Sequence, residues 1–237
     1  MNLLKEFSLK DKCSYLDNKE QIMDYKIIDD CSSHYTQELI ERGYRRFGKM
    51  FFRPVCDGCQ ECQSIKIDVN NYNFSKSERR VIKKAKDIKS YAQVPTLTQE
   101  HLSLFEKYHK FMKDKKGWKY QETSADHYYN SFVIGHEDYG YEILYFDDDK
   151  LIGVDLIDVL DDGISSIYFY YDPDYSHLSL GKLSLLMQIK FAKEAQKDWI
   201  YLGYYVKGCS SLDYKADYKP FTTLQGRPLI TEKYIWS

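Results

Sequence analysis

Between residues 141 and 206 the chain sets out a run of elements that few folds accommodate. Three strand-like segments, 141–146, 151–160 and 164–171, follow one another with short turns between them. Asp147, Asp148 and Asp149 form the first turn, and Asp161-Asp162-Gly163 forms the second, a hairpin signal. The third segment ends at Asp172-Pro173. A helix is expected over 179–195, with Leu183, Leu186, Met187, Phe191 and Ala195 at helical spacing, and an apolar strand over 199–206.

The order β-β-β-α-β, with two hairpins and one crossover helix, predicts a mixed α+β or α/β sheet of the N-acetyltransferase (GNAT) type, an acyltransferase fold. Pro95 interrupts two patterned regions and divides the chain into a small N-terminal cysteine-containing region, 1–95, and an acyltransferase domain, 96–237. In the first region a helix over 33–42 is stopped by Gly43. A strand-like stretch over 46–54 and an alternating strand over 64–69 follow, the latter with Ile65, Ile67 and Val69 on one face. The second region opens with a helix over 99–113. At 237 residues, 43% hydrophobic and 30% charged, the chain has the composition of a globular protein with a sizeable core. No apolar run approaches the roughly 18 residues of a membrane span, and the first dozen residues lack the apolar segment of a signal peptide. The expectation is a cytoplasmic monomer with no membrane partner.

A formal net charge of −2 excludes a protein that coats nucleic acid through overall positive charge, but it leaves room for a local basic face. Residues 75–86 read SKSERRVIKKAK. At helical spacing Lys76, Arg79, Arg80, Lys83 and Lys84 share one arc, with Val81, Ile82 and Ala85 opposite. The pairs Arg79/Lys83 and Arg80/Lys84 repel at i,i+4 by a few tenths of a kcal/mol each. Such a face is either solvated or meets phosphate, and in a chain of net negative charge contact with a nucleic-acid backbone is favoured.

Cys56, Cys59 and Cys62 stand as C-x2-C-x2-C in a short loop that turns at Gly58. Thiolates at that spacing can converge on one soft metal, with Cys13 as the natural fourth ligand. Zinc is the default metal, an iron–sulfur cluster suits the same spacing, and reduced thiols without metal are the plain alternative. The chemistry sought needs no cofactor. No histidine pair has ligand spacing, and G-x-S-x-G, Walker A and G-x-G-x-x-G are all absent. Coenzyme A enzymes of the predicted fold hold pyrophosphate on a Gly-rich loop before the crossover helix. Residues 175–182 contain Gly181 as their single glycine, so that pattern fails. Without it, and with a five-cation helix, the chain suits an acyl donor carried on RNA.

The stretches RGYRRFGKMFFRP (42–54), FSKSERRVIKK (74–84), YYDPDYSHLSLGKLSLL (170–186) and YLGYYVKGCSSLDYKADYKP (201–220) resemble aminoacyl-tRNA–protein transferases. The resemblance covers residues 13–220, and the length and the opening Cys13-Ser14-Tyr15-Leu16 resemble the short bacterial, leucyl-transferring branch. It implies leucyl-tRNA as donor and proteins with N-terminal Asp or Glu as acceptors, which become marked for N-degron proteolysis. The arginyl branch is the neighbouring alternative. A coenzyme A-dependent N-acetyltransferase and a non-catalytic RNA-binding metal module stand further off.

The implied reaction is attack of an acceptor α-amine on the leucyl ester and expulsion of the ribose hydroxyl. An α-amine of pKa about 7.7–8.0 is already about a tenth neutral at pH 7, so the demand is for alignment and proton transfer. Candidates to move protons lie where strands end beside the crossover helix: Tyr170, Asp172, Tyr204, Tyr214 and Lys215. Asp172 serves equally as a turn cap, and the tyrosines as strand walls. Backbone N–H groups near Leu180 and Gly181 are placed to polarise the ester carbonyl. Arg45, Arg46, Lys207 and Lys215 are the cations in matching motifs that can read the acceptor carboxylate.

Overall fold

The computed structural model describes residues 2–120, 122–136 and 138–237. The chain opens with a hairpin of β1 (Asn2–Lys12) and β2 (Glu20–Asp29), followed by α1 (Ser33–Glu41). Strands β3 (Arg45–Phe47), β4 (Met50–Pro54) and β5 (Gln63–Asp68) lead to α2 (Lys76–Lys84) and β6 (Lys89–Gln93). The long α3 (Gln99–Lys116) and the short α4 (Ala125–Tyr128), which runs into a π-turn over Tyr129–Val133, precede β7 (Gly140–Asp147). The last elements are β8 (Lys150–Val159), β9 (Gly163–Tyr171), α5 (Leu180–Glu194), β10 (Trp199–Tyr205) and β11 (Phe221–Thr223).

Two sheets result. One has the order β1-β2-β4-β3, the other β11-β5-β10-β9-β8-β7-β6. Every pairing is antiparallel except β9 with β10, the pair that α5 connects. The larger sheet therefore contains strands from both sides of residue 95: β5 and β6 precede it, β7 to β11 follow it.

Apolar layers cover both faces of the larger sheet. Successive strand residues alternate between them, as Phe169 packs with the layer of Leu183, Leu186 and Ile189 on α5, while Tyr170 packs with Leu104, Phe105 and Tyr108 on α3. Fully burying an Ile or Leu in either layer contributes about 2 kcal/mol. The smaller sheet has its own cluster of Ile28, Leu39, Tyr44 and Phe51.

The helices begin and end for local reasons. Ser75 accepts from the Glu78 amide while the Glu78 side chain accepts from the Ser75 amide, a capping box that starts α2. Thr98 caps α3, and Gly117 ends it in the left-handed region. Helix α5 differs: its first flanking residue, Ser179, is left-handed and gives no side-chain cap.

One expected strand is two. Residues 46–54 fold as the hairpin β3–β4, turning at Gly48 with φ +54°, where a Cβ would stand 1.9 Å from the Asn130 carbonyl oxygen. Strands β1, β2, β6 and β11 were not expected. No helix among the described residues is long and apolar enough to cross a membrane.

Candidate active site

Strands β9 and β10 pair in parallel only over Trp199–Tyr201 and Gly163–Ser165. Beyond that they part, and a cavity of about 510 Å³ opens between them, walled by Ser166 to Phe169, Leu202, Gln188 of α5 and Lys215. A second chamber of about 830 Å³ shares Tyr108, Met112, Lys116, Tyr171, Gly181 and Tyr214 with the first. It extends to Ser75, Ser77 and Glu78, at the start of the basic helix α2. The uncapped beginning of α5, at Gly181, faces both.

A bulge prepares the first chamber. The β8–β9 register jumps from Leu156–Tyr168 to Ile157–Ser166, which leaves Ile167 as the extra residue. Arg45 takes up the carbonyls at this kink, its Nη2 donating to Ile167 O at 2.8 Å and Ser166 O at 3.3 Å. The guanidinium also lies 6.0 Å from the Tyr204 ring. Gly203 (φ +73°) makes room for it, since a Cβ there would stand 2.5 Å from Arg45 Nε.

Strand alternation sends the adjacent arginine the other way. Arg46 is buried, its Nε and Nη2 both meet the Asp158 carboxylate, and Nη1 donates to Gly48 O at 2.8 Å. Its donors are engaged in joining the two sheets, so Arg46 does not face a substrate. Lys207 is exposed in the turn after β10, outside the walls of both chambers.

Lys215 sits in a short 3-10 turn over Asp213–Asp217 and is buried. Its Nζ donates to Leu202 O and Tyr204 O, each at 2.7 Å, and among the described residues no carboxylate pairs with it. Burial first, and then the Arg45 charge, hold this amine well below the usual lysine range. Tyr214 stands half exposed on the wall between the chambers.

The other expected proton carriers are structural. The Tyr170 hydroxyl is buried 2.5 Å from that of Tyr128, within the α3 layer. The Tyr204 hydroxyl lies 3.0 Å from Phe52 O and 3.1 Å from Gly43 O, fastening β10 to the smaller sheet. Asp172 accepts from the Asp174 amide at 3.1 Å and pairs with Lys107 at 2.5 Å and Lys150 at 2.8 Å. Burial opposes its ionisation, but the bonds from Lys107 and Lys150 prevail and keep the carboxyl below its ordinary range. It is the turn cap.

All five cations of α2 are exposed. Lys84 Nζ donates to His177 O at 2.6 Å, and among the described residues none of the five forms an ion pair. The face is thus turned to solvent with its charge unspent, and only the start of the helix, at Ser75, Ser77 and Glu78, borders the second chamber.

The cysteine loop does not supply a ligand set. Among the described residues no three His, Cys, Asp or Glu side chains are arranged to hold a metal ion. Cys13, Cys56, Cys59 and Cys62 are free thiols. Cys56 Sγ instead accepts from the Ile22 amide at 3.3 Å, and Lys19 Nζ lies 3.9 Å from Cys59 Sγ. Burial, then the neighbouring Cys13 and Cys56, push the Cys62 thiol up to about 12, so without a metal this thiol keeps its proton. The expected zinc or iron–sulfur site does not fit these residues as arranged.

Three residues escaped the sequence reading: Ser166 and Gln188, which line the first chamber, and Asp155, which lies behind Gln188. Asp155 is fully buried in β8, and Gln188 Nε2 donates to both its oxygens at 2.9 Å and to Ser166 Oγ at 3.2 Å. Burial raises Asp155 to about 7, against the opposing Gln188 bond. The signal available was a carboxylate inside the apolar run LIGVDLIDVL.

Residues 11–80 match a family model described as arginine-tRNA-protein transferase, N terminus, and residues 100–225 match its C-terminal counterpart. Curated relatives named aspartate/glutamate leucyltransferase include one from Campylobacter jejuni, 52% identical over 97% of this chain and 96% of its own. Another, from Helicobacter hepaticus, is 44% identical over 100% of this chain and 98% of its own. Among solved structures, FemX aligns with 79% of this chain and 64% of its own at 9% identity and a TM-score of 0.47. With both family models matched in order and full-length relatives at about half identity, the chain belongs to the arginine-tRNA-protein transferase family.

Proposed function

We propose that the protein transfers leucine from leucyl-tRNA to the N-terminal Asp or Glu of acceptor proteins, an aminoacyl transfer that marks them for N-degron proteolysis. The observation that carries this reading is the pair of joined chambers. One holds the Arg45 guanidinium and the Lys215 amine, and the other reaches the basic helix. The names of the relatives support leucine as the transferred residue and an acidic acceptor. The order β7-β8-β9-α5-β10, with β10 parallel to β9 and then parted from it, supports an acyltransferase sheet of the N-acetyltransferase type.

In this mechanism Lys76, Arg79, Arg80 and Lys83 contact tRNA phosphates, and the aminoacyl end enters the second chamber. The acceptor terminus occupies the first, where Arg45 grips its carboxylate. Arg45 takes this role because Arg46 is committed to Asp158, Lys207 lies outside, and the Lys215 amine is spent on the Leu202 and Tyr204 carbonyls. The α-amine attacks the ester carbonyl, whose oxygen faces the amides at the start of α5. Lys215, held by two carbonyls and with its amine drawn well below the usual lysine range by burial, accepts the proton. Tyr214, on the shared wall, returns one to the departing ribose hydroxyl.

The test is kcat/KM for Asp-, Glu-, Asn- and Gln-initiated peptides with leucyl-tRNA and with arginyl-tRNA. Wild type should use leucyl-tRNA and the acidic peptides. Arg45→Gln should lose about 30-fold or more on them, the cost of a partly desolvated carboxylate without its partner, while binding leucyl-tRNA as before. Equal use of Asn and Gln peptides by wild type would sink the carboxylate readout.

A further inference from the structure

The first chamber contains a buried polar group without a partner. Gln188 lines the chamber and is 1% exposed, and its Oε1 has no hydrogen-bond partner among the described residues. Leaving such an oxygen bare costs stability unless a ligand supplies a donor. The amide orientation follows from its surroundings. Both Asp155 oxygens and Ser166 Oγ draw the Nε2 end inward, so the acceptor end is the one left over.

Ser166 links this group to the carboxylate reader. Its hydroxyl meets Gln188, and its carbonyl accepts from Arg45 Nη2. An acceptor group backed by a buried carboxylate and a guanidinium therefore hang on one residue of β9. An N-terminal Asp or Glu carries the complementary pair, an α-amine and a carboxylate separated by only a few bonds.

We infer that Gln188 Oε1, oriented by Asp155, receives the α-amine of the acceptor while Arg45 receives its side-chain carboxylate, so that the chamber reads an acidic N-terminal residue at two points. The inference rests on the function proposed above. It assigns the amine its own site and leaves Arg45 the reader of charge. Gln188 touches substrate; Asp155 is a positioning residue that decides which end of the amide faces the chamber.

The experiment compares binding of three peptides identical after the first position. One begins with Asp, one with Asn, and one with a succinyl group, which keeps the carboxylate and lacks only the amine. Wild type should bind the Asp peptide about tenfold more tightly than either analogue, the size of losing one good hydrogen bond at about 1.4 kcal/mol. Gln188→Met, similar in volume and apolar at its tip, should bring Asp and succinyl peptides within twofold of each other and keep the Asp-over-Asn preference. Asp155→Asn should do the same with Gln188 present, because the new amide can donate to Oε1 and turn Nε2 toward the ligand. That outcome distinguishes orientation from a general loss of folding, which thermal unfolding of both variants monitors. The inference is overturned if both variants keep the tenfold amine preference. It is equally overturned if Gln188→Met spares the acceptor and weakens a non-hydrolysable leucyl-adenosine, which would place the donor amine there. If wild type itself fails to prefer Asp to Asn, the fault lies with the proposed function and not with the amine site alone.

Discussion

Where the smaller sheet and α1 meet the larger sheet, Arg46 meets Asp158 and Lys66 meets Glu41 at 2.9 Å, all four side chains buried. At the wall of the first chamber Lys215 meets only carbonyl oxygens and Gln188 ends in an oxygen with no partner among the described residues, while Asp155, behind Gln188, meets only its amide. Both regions bury ionisable groups, but the junction completes each charge and the chamber does not. A completed buried pair fixes how two elements dock. An incomplete set stores unsatisfied capacity at the place where a ligand arrives. Damage to the first region should therefore appear as lost stability, and damage to the second as lost recognition and a changed response to pH.

The largest effect is expected at the junction. Arg46→Met strands the Asp158 carboxylate in the interior and should cost about 3–5 kcal/mol in denaturant unfolding. Adding Asp158→Leu should recover much of that loss, since two apolar groups leave no bare charge. A single variant that unfolds like wild type would remove the distinction between the regions.

The chamber should show itself through pH. Below about pH 4 the Asp155 carboxyl is protonated whether the chain is folded or not. From there to about 7 the folded protein keeps a proton that the unfolded chain has released, so stability falls as pH rises. The slope is at most about 1.4 kcal/mol per pH unit, and above about pH 7 it ends. Asp155→Asn lacks this fall, so its stability relative to wild type should climb between pH 4 and 7 and then level off. A difference that stays flat over that range would show Asp155 to be ionised at ordinary cost.

The basic helix lies outside both interiors and should affect only nucleic-acid contact. Reversing Arg80 and Lys83 to Glu should flatten the log–log salt dependence of tRNA binding by about 0.7–0.9 for each lost phosphate contact. Its stability should stay within about 0.5 kcal/mol of wild type, as for exposed substitutions generally. An unchanged slope would leave the helix a solvated face. The smallest effect belongs to the cysteine loop, where Cys59→Ser should change unfolding by less than about 0.5 kcal/mol. A loss of several kcal/mol, with zinc or iron in elemental analysis of the wild type, would restore a metal to the four thiols.

Elements that carry an apolar run, an alternation or a helical period between turn residues were legible in the sequence. Strands β7, β8, β9 and β10 and helices α2, α3 and α5 fall within a few residues of expectation. The strands that were missed lack that contrast. All but one residue of β1 are exposed, and β6 is exposed over Lys89–Ala92, so neither has an apolar face to announce it. Gly48 was read through as part of a strand because a single glycine marks a turn only when its neighbours pair back, which β3 and β4 do. At the site, Arg45, Lys215, Tyr214 and Gly181 were named from their motifs and do line the first chamber. Tyr170, Tyr204 and Asp172 were named by the same reasoning and lie in the framework, because nearness to a strand end does not say which way a side chain points.

Arg45 and Arg46 mark the limit of what sequence alone determines. Their adjacency in a strand requires that they face opposite sides, and that much follows from covalent geometry. Which one faces the chamber depends on Asp158, 112 residues beyond Arg46, and on the bulge at Ile167 that turns two carbonyls toward Arg45. Local order is set by period, capping and turn chemistry, all carried by near neighbours. The partner of a buried charge is chosen by where distant strands come to rest, and a desolvated ion must find its match there or remain open to a ligand.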